Sequence, residues 1–175
     1  SAVVAIVVTG GEENFSAGAD VREFGSPKAT MSPNLASVIA ALEAASKPVV
    51  AAIAGNCLGG GFELALGCHA RVAHANAMLG LPEVKLGLLP GAGGTQRLPR
   101  AIGLEAALNM IVSGKTVRAD HFVGTPLVQL CTEGSVVEAA AEYATGLATC
   151  VAFGGPKPRL LRDMPVQGHA ADAFL

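Results

Sequence analysis

The sequence predicts an α/β fold built on a substantially parallel sheet. Two short apolar runs rich in β-branched residues, 2–8 (AVVAIVV) and 49–54 (VVAAIA), read as strands buried on both faces, the kind that parallel sheets use. Helical spacing alternates with them along the chain, as a strand-helix-strand order requires. A glycine-rich loop follows each run, at the carboxyl ends of the strands, where open α/β sheets place their ligands.

The elements follow in order. Residues 2–8 end at Thr9-Gly10-Gly11, and residues 12–25 form a polar, glycine-rich loop. Ser32-Pro33 offers a helix N-cap with proline at the first helical position. Leu35, Val38, Ile39 and Leu42 continue with helical spacing, and Lys47-Pro48 ends that segment. Residues 49–54 are the second strand. Residues 55–61 are glycine-dense, with an apolar helix pattern over 62–66. Residues 70–73 and 77–79 are short strand candidates, and 81–94 is a long Gly/Pro loop. Helical patterns resume at 95–102, interrupted by Pro99, and at 104–112, closed by Gly114 as a C-terminal cap. Residues 125–130 read as a further strand. Ser135-Val136-Val137-Glu138 is a capping box, and Val137, Ala140, Ala144 and Leu147 carry its helix onward. Periodicity dissolves after Cys150, and Pro156, Pro158 and Pro165 mark an arm or linker.

Composition narrows the class of protein. The 175 residues suffice for one domain with a sizeable core. With 51% hydrophobic and 15% charged residues, the chain is not of the disordered type. Its 22 glycines keep no triplet period, which excludes collagen. A net charge of −2 leaves no basic footprint, so no nucleic-acid partner is expected. No run of apolar residues is long enough to predict a membrane span. Cys57, Cys68, Cys131 and Cys150 share no CxxC spacing, so neither a metal site nor a disulfide framework is expected. They read as buried thiols in a reducing compartment. The alanine-rich composition adds the expectation of a bacterial cytoplasm.

Standard nucleotide and nucleophile motifs are missing. A dinucleotide fingerprint starting at Gly91 and Gly93 needs glycine where Gln96 stands, and a P-loop needs lysine after Gly60, where Gly61 and Phe62 stand. Neither GxSxG nor HExxH occurs. Two segments remain distinctive. One is NFSAGAD at 14–20. The other is 47–100, which holds GNCLGGGFE at 55–63 and LPE at 81–83. Three glycines ahead of a helix allow close approach to the backbone and present free amides at the positive helix end. An oxyanion hole requires such donors. Glu63 falls in the first turn of that helix, and Glu83 follows a proline in a loop. Two carboxylates beside backbone donors can do acid/base chemistry.

Each residue also has a plainer explanation. Glu63 could be favoured at a helix start by the dipole alone, and Glu83 could be a solvated loop carboxylate. Gly60 and Ala19 could be simple turn positions. Asp20 is read as ordering its loop through backbone hydrogen bonds. Cys68 and His69 are adjacent on a helix and do not face each other, so they are read as structural, and Cys57 as a small buried thiol. Arg97 and Arg100 are open between contact with a ligand phosphate and a solvated face or structural ion pair.

From about Val3 to Val112, and more weakly through Leu147, the chain resembles the enoyl-CoA hydratase/isomerase (crotonase) superfamily. The motifs FSAGAD, KPVVAAIAGNCLGGGFELALGCHARVA and LPEVKLGLLPGAGGTQRLPR, in this order, carry the resemblance. Their wording is most similar to the hydratase/isomerase half of multifunctional fatty-acid oxidation enzymes, where a 3-hydroxyacyl-CoA dehydrogenase part follows. The resemblance implies a crotonase-like ββα superhelix, with stacked, partly parallel sheets flanked by helices. It implies a core over residues 1–148 and an arm or linker over 149–175, leading toward a dehydrogenase part. Against the family pattern the chain opens about two strands and a helix late, so an N-terminally incomplete domain is expected.

The resemblance also implies roles. The amides of Ala19 and Gly60 match oxyanion donors for an acyl-CoA thioester, and Glu63 and Glu83 match the two catalytic glutamates. Ala17, Gly18, Asp20, Gly59, Pro82 and Gly91 match substrate-binding positions. The implied activity is hydration of trans-2-enoyl-CoA in fatty-acid β-oxidation, with Δ3-Δ2-enoyl-CoA isomerisation as an additional capacity. CoA enters as the substrate's handle, and neither a metal nor a prosthetic cofactor is expected. The implied partner is an acyl-CoA, together with a homotrimer or a covalently linked dehydrogenase part. Two alternatives stay open: another crotonase-fold acyl-CoA enzyme, or a truncated, non-catalytic acyl-CoA-binding module.

Overall fold

The computed structural model describes residues 3–20, 22, 31–131 and 133–166. Ser1 and Ala2, most of the 21–30 segment and the arm beyond residue 166 lie outside the described residues.

A four-stranded, wholly parallel sheet forms the base, in the order β1-β2-β4-β7: β1 (Ile6–Thr9), β2 (Val49–Ile53), β4 (Ala70–His74) and β7 (Gln129–Cys131). A second sheet holds β3 (Asn56–Leu58), β5 (Met78–Gly80) and β6 (Thr116–Arg118), with β3 and β5 parallel and β5 and β6 antiparallel. Among the described residues five helices complete the frame: α1 (Leu35–Glu43), α2 (Gly60–Gly67), α3 (Gly94–Ile102), α4 (Leu104–Ser113) and α5 (Val136–Ala152). Short 3-10 segments lie at Pro82–Leu86, Ala119–Phe122 and Leu161–Asp163.

β2 explains the layering. All five of its residues are buried. Side chains alternate across a strand. Val49, Ala51 and Ile53 therefore enter the main core with Phe62, Leu66, Leu79 and Leu98, while Val50 and Ala52 enter a second core against Val136, Ala140 and Ala144 of α5. A strand covered on both faces has no use for polar residues, hence the unbroken VVAAI.

β1 departs from the expectation. It starts at Ile6, and Val3, Val4 and Ile6 are 55%, 54% and 41% exposed. Among the described residues β1 pairs with β2 alone, so it is an edge strand, covered less fully than its apolar sequence predicts.

The α1 cap also shifts. Asn34, not Ser32, is the N-cap, and its side-chain oxygen accepts from the Ser37 amide. Elsewhere the local signals coincide with the observed ends. Gly114 caps α4 in the left-handed conformation, donating to Met110 O. The Ser135 hydroxyl accepts from the Glu138 amide at the start of α5. Cys57, Cys68 and Cys131 are buried, but Cys150 is exposed near the end of α5, contrary to the buried reading. Beyond α5 the chain returns to the body. Leu161 is buried in the main core, and Arg162 pairs with Glu43 of α1.

Candidate active site

Two loops meet at the carboxyl edge of the parallel sheet. After β1 the chain runs along β3. Phe15 N–H and Ser16 N–H donate to Asn56 O, Leu58 N–H donates to Ser16 O, and the Asn14 carboxamide oxygen accepts from the Asn56 backbone and side chain. This short ladder lays Gly18 and Ala19 against Gly59 and Gly60. A Cβ built on Gly60 would sit 3.8 Å from the Ala19 nitrogen, and one on Gly18 would sit 3.3 Å from Leu58 O. Gly18, at φ 109° and with Leu58 O that near, is held as glycine by both conformation and space, whereas 3.8 Å at Gly60 is ordinary contact. Gly59 adopts φ 53°, ψ −131°, a backbone that L side chains rarely accept, and it turns the chain from β3 into α2.

Two backbone amides are left over at this junction. Gly60 is the first residue of α2, so its N–H lacks an intrahelical acceptor. Neither it nor the Ala19 amide has a hydrogen-bond partner among the described residues.

Glu63 stands one turn into α2 and is 2% exposed. Its Oε1 accepts from the Ala92 amide at 2.7 Å and the Gly94 amide at 2.8 Å. Gly94 opens α3, so the carboxylate sits at the positive end of that helix. The pair of amides fixes the carboxylate and occupies Oε1, leaving Oε2 for the cavity that Glu63 lines.

Glu83 approaches from the 3-10 segment Pro82–Leu86. Its Oε2 is buried without a hydrogen-bond partner among the described residues. Burial raises its pKa above the ordinary carboxylate range, and the nearby Glu63 carboxylate adds to the rise; a backbone hydrogen bond opposes it. The other oxygen lies close to Gly59, 3.2 Å from where a Cβ would stand.

These groups border one cavity of about 500 Å³. Ala17, Gly18, Ala19, Gly59, Gly60, Glu63, Pro82, Glu83 and Gly91 all line it. Asp20 does not. It forms an exposed, bidentate pair with Arg22, whose hydrogen bonds hold the Asp20 pKa down, and it accepts from the Arg22 amide. Apart from Asn34, the rest of the wall is apolar, with Leu35, Leu86, Leu88 and Leu89 among its residues. Leu89 is 73% exposed at the rim.

α2, which carries Glu63, is anchored at its far end by Arg71 of β4. This guanidinium is buried and donates to Ala65 O and Cys68 O at the helix C-terminus, and to Pro126 O and Leu127 O. Burial lowers its pKa to about 10. Close packing does the rest: a Cβ on Gly67 would meet Ile39 of α1 at 2.5 Å, and one on Gly61 would meet Ser16 at 2.5 Å.

His69 and Cys68 do not form a catalytic pair. His69 Nδ1 accepts from the Val49 amide, and burial lowers its pKa. The Cys68 thiol points to Leu64 O, and burial lifts its pKa to about 11. The Cys57 thiol is pushed up by burial as well. Arg97 is committed to a buried ion pair with Glu43, 2.8 Å away, which resolves its role in favour of structure over phosphate contact. Arg100 donates to Gln96 O. Sequence reading missed the Ala92 and Gly94 amides. The run Gly91-Ala92-Gly93-Gly94 ahead of a helix was the available signal, since it repeats the logic of the triplet at 59–61. Among the described residues no three His, Cys, Asp or Glu side chains come together as a metal site. No helix among them is long and apolar enough to cross a membrane.

Comparison with known proteins identifies the family. Residues 1–152 match the family model described as enoyl-CoA hydratase/isomerase. The chain is 53% identical over 142 residues to the peroxisomal bifunctional enzyme of Danio rerio, covering 81% of this chain and 20% of that protein. It is 46% identical over 154 residues to the glyoxysomal fatty acid beta-oxidation multifunctional protein MFP-a of Brassica napus, covering 83% and 21%. Among solved structures, DspI of Pseudomonas aeruginosa is similar with TM-score 0.73 and 36% identity, over 91% of this chain and 66% of that one. The enoyl-CoA hydratase of Bacillus anthracis is similar with TM-score 0.68 and 37% identity, over 85% and 58%. The chain thus spans about a fifth of the length of the curated relatives it matches.

Proposed function

Because the chain belongs to the enoyl-CoA hydratase/isomerase family and has its crotonase fold, we propose that it hydrates trans-2-enoyl-CoA thioesters to 3-hydroxyacyl-CoA. One observation carries the proposal: two carboxylates, Glu63 and Glu83, and two backbone amides, Ala19 and Gly60, without a partner among the described residues, converge on one mostly apolar cavity.

The chemistry follows from the asymmetry of the site. The amides of Ala19 and Gly60 receive the thioester oxygen and stabilise the enolate that forms when C3 is attacked. Each such donor is worth about 2.7–4 kcal/mol of barrier. Glu63, held by two amides, presents Oε2 to a water and takes its proton as the water oxygen bonds to C3. Glu83, in its protonated form, delivers a proton to C2. After product leaves, Glu63 gives its proton up to solvent and Glu83 takes one back, which restores both carboxyl groups for the next turnover. The same Glu83, with a buried oxygen lacking a partner, suits a proton shuttle between C2 and C4, which is the Δ3-Δ2 isomerisation. Leu35, Leu86, Leu88 and Leu89 support an acyl chain as the apolar part of the substrate.

The setting in a longer reaction sequence is part of the proposal. The relatives' names support fatty-acid β-oxidation and a multifunctional chain; the family resemblance adds a fused 3-hydroxyacyl-CoA dehydrogenase, with residues 1–148 as the hydratase core and 149–175, whose Leu161 packs back onto that core, as the arm toward it. A homotrimer is the alternative assembly. Asp20 is kept as a loop-ordering residue near the substrate. A bacterial cytoplasm is proposed as the compartment on the alanine-rich composition and the cysteines' lack of disulfide spacing.

Hydration of crotonyl-CoA, followed by loss of the enoyl thioester absorbance, tests the activity. Glu63→Gln and Glu83→Gln should each abolish turnover while leaving the circular dichroism spectrum unchanged. Wild-type rates in both variants would sink the assignment. Calorimetric binding of acetoacetyl-CoA by an inactive wild type would favour the non-catalytic binding module.

A further inference from the structure

Arg97 lies behind the site, outside the cavity lining. Its guanidinium reaches three ways. Nε and Nη2 fork onto Glu43 Oε1 at 2.9 and 2.8 Å, and Nη1 donates to Ala92 O at 2.9 Å. Glu43 in turn holds Arg162 through its other oxygen, at 2.7 Å. The Arg97 side chain is 11% exposed and that of Glu43 3%. One buried carboxylate therefore joins α1, α3 and the segment after α5.

The far side of this network ends at Glu63. The Ala92 residue whose carbonyl accepts from Arg97 also donates its amide to Glu63 Oε1, and Gly94 donates the second bond to the same atom. Both amides reach one oxygen only if the intervening chain turns sharply. Gly93 makes that turn at φ 99°, and the Arg97 guanidinium packs directly over it, since a Cβ on Gly93 would fall 2.1 Å from Nη1. The guanidinium thus closes the outside of the turn whose inside holds Glu63.

We propose that Arg97 is a positioning residue: locked by Glu43, it sets the Ala92–Gly94 turn and, through it, the direction of the Glu63 carboxylate. The proposal rests on the reading of Glu63 as the residue that acts on water. A planar fork serves this purpose where a point charge does not, because it must bind Glu43 and the Ala92 carbonyl in one fixed geometry.

The test uses the full-length protein with crotonyl-CoA. Arg97→Lys keeps the charge opposite Glu43 and loses the fork, and Arg97→Met loses both. Misplacing a catalytic group by about 1 Å costs roughly 100-fold. Arg97→Lys should therefore lower kcat by about 10- to 100-fold with KM changed less than about 3-fold, because the cavity wall and the oxyanion amides are untouched. An independent measurement is hydrogen–deuterium exchange over peptides covering residues 90–97. Arg97→Lys should speed exchange there and leave peptides of β2 and α5 unchanged. The positioning role is overturned if Arg97→Lys turns over at the wild-type rate, or if exchange at 90–97 stays at the wild-type level. If the wild type does not hydrate crotonyl-CoA, the functional reading fails, and the exchange measurement still decides the Arg97 contact.

Discussion

Replacing Gly59 with alanine perturbs the cavity wall in two ways at once. At φ 53°, ψ −131° an L residue is strained, at a cost of about 1–3 kcal/mol. The new Cβ would also stand 3.2 Å from Glu83 Oε1 and 3.8 Å from its carboxyl carbon, so the carboxylate must give way. If the N-terminus of α2 rotates to relieve the strain, the Gly60 amide turns from the thioester oxygen, and a lost oxyanion donor costs about 100- to 1,000-fold in kcat. Gly91→Ala is the matched control. It lines the same cavity, but nothing lies within 4 Å of its Cβ and its φ is not positive. Its stability should stay within about 0.5 kcal/mol of wild type. Thermal melts and crotonyl-CoA kinetics on both variants provide the comparison. Gly59→Ala should melt about 2–12 °C lower in a domain of this size. The reasoning is refuted if Gly59→Ala and Gly91→Ala melt alike and turn over alike.

Other outcomes follow from the same geometry. Burial raises the Glu83 pKa above 4.5, so the folded state binds that proton more tightly than the unfolded chain. The group's contribution to stability is then fully present below the unfolded value and is lost as pH rises through the folded one. Glu83→Gln should accordingly stabilise the protein at neutral pH, with the gain fading below about pH 4; urea midpoints at the two pH values measure it, and an equal gain at both would contradict the burial argument. Gly61→Ala places a Cβ 2.5 Å from Ser16 and should destabilise by about 1–3 kcal/mol. Ser16→Gly in the same chain should return part of that loss, and strictly additive melting shifts would show that the two residues do not press on each other.

Legibility tracked the length of the local signal. β2 was readable because a doubly buried strand needs five apolar residues in a row. Gly114 and Ser135 were readable because caps depend on one residue's chemistry. β3 and β6, three residues each, carry too little periodicity to stand out, and both owe their pairing to β5. β1 has the composition of a central strand and the position of an edge strand, a difference that only neighbours can settle. At the site, the carboxylates and the glycine triplet could be picked out by type. The two amides that hold Glu63, from Ala92 and Gly94, lie 29 and 31 positions away, and the glycine run that carries them does not say which carboxylate they hold.

By itself the sequence determined the parallel α/β character, the helix-leading glycines and the family, because hydrophobic pattern, backbone freedom and motif order are local properties of the chain. Tertiary structure decided which donors face which acceptors. It joined residues 16 and 57 in one bridge, turned the Ala92 and Gly94 amides onto Glu63, excluded Asp20 from the cavity and committed Arg97 to Glu43. Hydrogen bonds and ion pairs act over about 3 Å, so they are set by packing between elements, and spacing along the chain does not contain them.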